Sequence, residues 1–80
     1  MKINAIKELV ETHPTEVIII LTAQLENGEP LSHPVHGEDE GEQLTHLLGA
    51  AWIKEQMALN NSDFKTELRN FTARVRGSIS

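Results

Sequence analysis

The sequence predicts an all-α domain, a small bundle of three or four short helices. Apolar residues recur at intervals of three and four along most of the chain, as in helices with a buried face. Residues that cap or break helices separate these stretches. Eighty residues are enough for one domain at most. We therefore treat residues 1–80 as a single small helical domain.

The first helix is predicted over residues 2–11. Pro14 keeps the residue before it out of the α region, so this helix should end near Thr12. The apolar residues that recur at helical spacing in this segment are Ile3, Ile6, Leu9 and Val10.

The segment after Pro14 is compatible with two structures, and the first is a β-hairpin over residues 15–36. The β-branched run Val17–Leu21 is typical of a buried strand. Asn27-Gly28 is a favourable hairpin turn, and Leu31–Val35 would supply the second strand. Two prolines in and beside that second strand argue against the hairpin, because each removes a donor from the ladder.

The second possibility for this segment is a helix. Thr15 is a favourable N-cap, and the negative charge of Glu16 suits the first turn of a helix. The chain continues to Glu26 without a breaking residue, and Asn27 or Gly28 can supply a left-handed C-terminal cap. We favour the helix and keep the hairpin as the alternative.

A linker is predicted over residues 28–38, followed by a helix that begins at Asp39 or Glu40 and ends near Leu59. The main apolar face of this helix holds Leu44, Leu47, Leu48, Ala51, Trp52 and Leu59. A second apolar strip on the opposite side holds Ala50, Ile53 and Met57, with His46 among them. A helix that is apolar on two sides is generally buried on two sides, so we expect the central helix of the domain or part of a subunit interface.

The last helix is the most regular in the sequence. Asn61 or Ser62 is expected to cap it, with Asp63 in the first turn and Gly77 as the stop. Its apolar stripe, with spacings of four, three and four, consists of Phe64, Leu68, Phe71 and Val75.

Composition and charge exclude several classes of function. The absence of cysteine excludes disulfides, cysteine-based metal centres and thiol catalysis. The net charge of −5 disfavours nucleic acid as a partner, because binding phosphate requires a cationic surface. The charge is also uneven: residues 26–42 hold six acids and no Lys or Arg, whereas residues 64–80 hold four cations and one acid. Electrostatic attraction between these two segments, within or between chains, follows as an expectation.

No targeting or membrane-spanning segment is recognised. The longest strongly apolar run, Val17–Leu21, is five residues, whereas a span needs about 20. We therefore expect a cytoplasmic protein that does not associate with membranes.

Three blocks of the sequence resemble a family of short uncharacterised proteins from Bacteroidetes, known as a domain of unknown function. They are Lys2–Glu11, Gly37–His46 and Phe64–Ile79, and together they span most of the chain. In that family the second segment is a charged amphipathic helix, from which Val17–Leu21 departs. The resemblance implies a small helical bacterial protein and supplies no activity.

The candidate metal site consists of Asp39, Glu42 and His46. On a helix that begins near residue 38 these side chains lie at i, i+3 and i+7 and project from one face. His33 and His36 in the preceding linker are further candidate ligands for zinc or another divalent ion. The spacing matches no established motif. The simpler interpretation makes the acids favourable charges at a helix start and Glu42 with His46 an ordinary i,i+4 pair.

An enzyme is not favoured, and no cofactor is expected. His46 with Glu42 could tune an imidazole for acid or base catalysis. However, no nucleophile arrangement stands out, and Gly37-x-x-x-Gly41 lacks the residues that complete a phosphate-binding loop.

The function that the sequence favours is a non-enzymatic interaction or structural module that self-associates. The two apolar sides of the third helix indicate more apolar surface than one 80-residue core hides. We expect a homo-oligomer, in the first instance a dimer, or docking onto a larger protein partner. The candidate interface residues are Trp52, Ile53 and Met57. The alternative function is a metal-binding or metal-dependent protein that uses the candidate metal site.

Overall fold

The structure, a computed structural model, describes residues 2–79 and consists of four α-helices with no strand in that part of the chain. The helices are α1 (Ile3–Thr12), α2 (Thr15–Glu26), α3 (Glu40–Asn60) and α4 (Phe64–Ile79). The prediction of a small all-α bundle is confirmed, and residues 15–36 do not form a hairpin. None of the four helices in residues 2–79 combines the length and the hydrophobicity that a membrane span requires.

The centre of the fold is α3, against which each of the other three helices packs. It has 21 residues and is about 30 Å long at 1.5 Å per residue, so it can contact three partners along its length. Its buried residues are His46, Leu47, Gly49, Ala50 and Ile53. The prediction that the third helix is the central one is therefore confirmed.

One hydrophobic core joins α1, α2 and α3 with the linker between α2 and α3. Ile6, Ile18 and Ile53 are completely buried in it, and Val35 brings the linker into contact with the helices. Burying a side chain of this size stabilises the fold by about 1.5–3 kcal/mol. Partly buried residues pack around this core, and those of α4 are Phe64, Leu68 and Phe71.

The expected main face of α3 is not buried as a whole. Leu48 is 51% exposed and Leu59 is 70% exposed, although both lie on the predicted apolar side. The buried arc of α3 instead includes Ala50, Ile53 and His46, the strip that the sequence suggests as secondary. The reason is that the partner helices cover one broad side of α3 and leave the arc with Leu48 and Leu59 facing outward.

The helix whose second apolar side stays exposed is α2. Ile18 and Leu21 are completely buried, whereas Ile19 is 58% exposed and Ile20 is 51% exposed. Consecutive residues in a helix are about 100° apart, so a run of isoleucines cannot all face a single neighbour. Here α3 covers one side of α2 and the other side remains apolar at the surface.

The start of α2 and both ends of α4 differ from the prediction. Pro14 is the N-cap residue of α2, and Thr15 is already helical. Asp63, rather than Asn61 or Ser62, caps α4, since its Oδ1 accepts a hydrogen bond from the Thr66 backbone N–H at 2.9 Å. Asn61 instead ends α3 in the left-handed conformation, with φ of 50°.

Gly77 does not stop α4, which continues to Ile79. Two other predicted helix ends agree with the structure. Asp39 caps α3 by accepting from the backbone N–H of Glu42 at 2.8 Å, and Gly28 after α2 has a left-handed backbone with φ of 72°.

A buried carboxylate fixes the turn between α3 and α4. Glu67 is 2% exposed and accepts hydrogen bonds from the side chains of Ser62, Asn60 and Asn70. The Ser62 hydroxyl, followed by the Asn70 amide, holds the pKa of Glu67 below its ordinary value, while burial acts in the opposite direction. Three neutral donors thus stabilise the charged form and tie the last turn of α3 to the first turns of α4.

Side chains of α1 and α4 approach α3 closely at Gly49. A Cβ atom there would lie 3.1 Å from Cζ of Phe71 in α4 and 3.3 Å from Cδ1 of Ile6 in α1. Because glycine has no side chain, α1 and α4 can both pack against α3 at this position along its axis.

We predict that Gly49→Val lowers the free energy of unfolding by about 1–3 kcal/mol, because the added atoms overpack the junction with Phe71 and Ile6. Urea unfolding followed by circular dichroism measures the change. Gly77→Val is the matched control, since a Cβ at Gly77 meets nothing within 4 Å, and it should change stability by less than about 0.5 kcal/mol. Equal effects of the two substitutions would contradict the close packing at Gly49.

We predict that Glu67→Gln lowers the melting temperature at neutral pH and flattens the loss of stability in acid. The folded-state pKa of Glu67 lies below its ordinary value of 4.5, so its contribution is present above pH 4.5 and is lost as the pH falls toward the folded pKa. Melting curves between neutral pH and mild acid measure this. The exposed Glu55→Gln is the control, and parallel acid profiles for Glu67→Gln and the unmodified protein would refute the assignment.

Candidate functional site

His46 lies at the junction of α1, α3 and the linker. It projects from α3, is completely buried, and uses both ring nitrogens within the chain. Nε2 accepts a hydrogen bond from the backbone N–H of Lys2 at 2.9 Å, and Nδ1 lies 2.8 Å from the backbone carbonyl oxygen of His36. The carbonyl can only accept and the amide can only donate, so these partners define a neutral ring with its proton on Nδ1.

This arrangement makes His46 a structural connector. Its ring joins the start of α1 to the end of the linker, and no ring nitrogen is left to accept a proton from a substrate. Glu42 is not a direct hydrogen-bond partner, because its Oε1 lies 4.0 Å from His46 Nε2. That oxygen is buried and has no hydrogen-bond partner among the described residues.

The structure brings only part of the predicted metal site together. Glu42 approaches His46, but Asp39 uses its carboxylate to cap α3. The His36 imidazole faces α1, where its Nε2 lies 2.9 Å from Oε2 of Glu8. Among the described residues, no group of three or more His, Asp or Glu side chains is arranged to hold a metal ion. The geometry therefore gives the metal hypothesis no support.

His33, the last of the candidate ligands, lies apart from the others. Its exposed ring has its centroid 5.0 Å from that of His13, in a tilted arrangement. The four histidines thus form two separate pairs: one at the turn between α1 and α2, and one at the His46 junction.

The linker next to His46 contacts the side chain of Gln43 in α3. Gln43 Nε2 donates to the Val35 carbonyl at 3.1 Å, and Gly37 lies directly over the same side chain. A Cβ at Gly37 would be 2.7 Å from Gln43 Cγ, and the φ of 155° is one that residues with side chains rarely adopt.

An open cavity of about 610 Å³ between this part of the linker and the start of α1 is lined by charged groups of both signs.

The three predicted interface residues occupy different environments. Ile53 is completely buried in the core of its own chain, and Met57 is partly buried against that core. Trp52 is partly exposed, with its ring centroid 5.9 Å from that of Phe71 and the Arg74 guanidinium 5.5 Å from the ring centre. Trp52 and Met57 thus keep part of their surface outside the core, whereas Ile53 does not.

An apolar groove between α2 and α3 is the feature that the sequence interpretation misses. The groove has a volume of about 380 Å³, and Ile19 and Leu48 line it from opposite helices. Ala23 and Ala51 also line it, and Glu26 lies at its edge. The signal that could have revealed it is the run of three isoleucines in α2, because one helix cannot bury all of them.

The surroundings of this groove are acidic. Residues 8–53, which include all of α2, contain no Lys or Arg. Glu16 and Glu26 on α2 and Glu55 on α3 are exposed. The only Lys of α3, Lys54, donates from Nζ to the carbonyl of Val10 at 3.1 Å, toward α1. The groove is therefore an apolar surface with a negative border.

Comparison with known proteins identifies the family. A family model described as "Family of unknown function (DUF6952)" matches residues 1–80, so the chain belongs to that family. No curated protein and no solved structure matches the chain. Family membership agrees with the resemblance of the three sequence blocks and, like that resemblance, carries no activity.

We predict that His46→Leu lowers the free energy of unfolding by about 1–3 kcal/mol, because it leaves the Lys2 amide and the His36 carbonyl without their buried partner. Thermal and urea unfolding measure the effect. His33→Leu, at an exposed position, is the matched control and should change stability by less than about 0.5 kcal/mol. A variant at position 46 as stable as the control would show that the ring is not a connector.

Proposed function

We propose that this member of a family of unknown function is a non-enzymatic protein-interaction module that self-associates through the groove between α2 and α3. The observation that carries the proposal is the exposure of Ile19 and Leu48 on opposite walls of one groove. Contiguous exposed apolar surface with a polar border is typical of protein-binding sites. Association that covers this apolar surface is favourable, because it removes the surface from water.

The size of the domain supports this interpretation. A chain of 60 residues hides only about 60% of the surface that it exposes when unfolded, and an 80-residue chain little more. Ile19 and Leu48 each retain more than half of their exposure. Since complete burial of such a side chain is worth about 1.5–3 kcal/mol, the remaining half of each contributes about 1 kcal/mol on association.

The polar interior supports binding over catalysis. His46, the candidate residue for acid or base catalysis, is buried and has both ring nitrogens hydrogen-bonded to backbone groups. Glu67 is likewise occupied by three neutral donors at the turn between α3 and α4. Both ionisable groups therefore have structural roles, and neither faces the groove.

A second copy of the chain is the partner that the charges favour. The groove has an acidic border, while residues 64–80 contain Lys65, Arg69, Arg74 and Arg76. One copy thus carries both a negative apolar surface and a positive helix, and complementary charges favour their encounter. We also propose a bacterial, cytoplasmic setting in Bacteroidetes, which the resemblance of the three sequence blocks supports.

We predict that Ile19→Gln combined with Leu48→Gln weakens self-association about tenfold or more, since the loss of about 1.4 kcal/mol changes a dissociation constant tenfold. Sedimentation velocity over a range of micromolar concentrations measures the mass. Ile3→Gln is the matched control, because Ile3 is 49% exposed on α1 and lies outside the groove. An unmodified protein that remains monomeric throughout this range would refute self-association, and equal weakening by the control would refute the role of the groove.

A further inference from the structure

The exposed face of α4 is cationic along its length. Lys65, Arg69, Thr72 and Arg76 follow one another at intervals of four, three and four, so they lie along one side of the helix. The two arginines and the lysine are exposed. The only acid of α4 is Glu67, and its carboxylate is buried at the turn before the helix. This side of α4 therefore presents three positive charges and no carboxylate.

These charges are not neutralised by the acidic segment of the same chain. In the described part of the chain, no carboxylate lies within ion-pairing distance of Lys65, Arg69 or Arg76. α4 packs against α3 near Gly49 and Trp52, whereas the groove lies where α3 meets α2. One copy can therefore use its α4 face and its groove at the same time.

A symmetric pairing of two grooves is electrostatically unfavourable. It would place Glu16, Glu26 and Glu55 against the same three residues of the other copy. No Lys or Arg occurs in residues 8–53 to offset this repulsion, and the single Lys of α3 is directed to α1. Like charges placed opposite one another across an interface disfavour that arrangement.

We propose that self-association is head-to-tail, with α4 of one copy lying in the groove between α2 and α3 of the next. This inference rests on the proposed function and names the surface that the groove binds. Lys65, Arg69 and Arg76 face the acidic border of the groove. The apolar contact for Ile19 and Leu48 comes from the methylene stems of these long cationic side chains, whose charged ends reach the border.

A head-to-tail interface has different consequences from a symmetric one. In a pair, one copy retains a free groove and the other a free α4 face, so the contacts continue into a ring or an open chain instead of stopping at two copies. The attraction between exposed charges is screened by salt, so assembly should weaken as ionic strength rises.

Two complementary variants test this geometry. The groove variant carries Ile19→Gln and Leu48→Gln, and the helix variant carries Arg69→Glu and Arg76→Glu. Each variant alone lacks one side of the interface and should self-associate about tenfold or more weakly than the unmodified protein. Mixed together they retain one intact groove and one intact α4 face, so they should form a complex of one copy of each and nothing larger. Sedimentation velocity and native mass spectrometry of the mixture measure this.

The outcomes separate this inference from the proposed function. Two results would overturn the head-to-tail geometry alone, provided that the unmodified protein self-associates. The first is the absence of a complex in the mixture, and the second is a helix variant that self-associates as strongly as the unmodified protein. A monomeric unmodified protein would overturn both the geometry and the proposed function. Lys7→Glu, an exposed charge reversal on α1, is the control and should not change assembly. Arg69→Gln with Arg76→Gln, which removes charge without reversing it, should weaken assembly less than the glutamate variant, and circular dichroism verifies that each variant is folded.

Discussion

The packing of three helices against α3 is the constraint on which the rest of the structure depends. α1, α2 and α4 each pack against it, and the hydrophobic core lies mainly on the side that they cover. Gly49 is a narrow point of this packing, because Phe71 and Ile6 approach it from different helices at distances that leave little room for a side chain. A short chain can build a core in this way without a sheet or a disulfide, provided that one helix is long enough to serve three partners.

Two buried polar side chains complete this packing. His46 connects α3 to the start of α1 and to the linker through backbone groups, and Glu67 connects the end of α3 to α4 through neutral donors. Each satisfies its hydrogen-bonding groups inside the chain, which makes a buried polar residue tolerable. Both of these ionisable side chains therefore have structural roles, and the remaining candidates for a functional role lie at the surface.

At the surface, apolar exposure and charge are separated in a way that favours association. The outer side of α2 and the adjoining arc of α3 form an apolar groove with an acidic border, and α4 presents a cationic side away from it. The overall charge of −5 conceals this separation. The proposed head-to-tail contact would cover the isoleucines that α2 leaves exposed.

The sequence by itself determined three helices, the linker and a start of α3 at Asp39 or Glu40, and it favoured a helix over a hairpin after Pro14, because helix periodicity, capping and proline restrictions act over a few residues. It also placed Asp39, Glu42 and His46 on one face of α3. Tertiary structure alone decided what those residues contact: the partners of His46 are backbone groups of Lys2 and His36, which lie 44 and 10 positions away in the chain. It likewise decided which apolar side of α3 is buried and that α2 leaves isoleucines exposed. Periodicity shows which residues share a face, but burial depends on where the other helices pack, and those contacts are long-range.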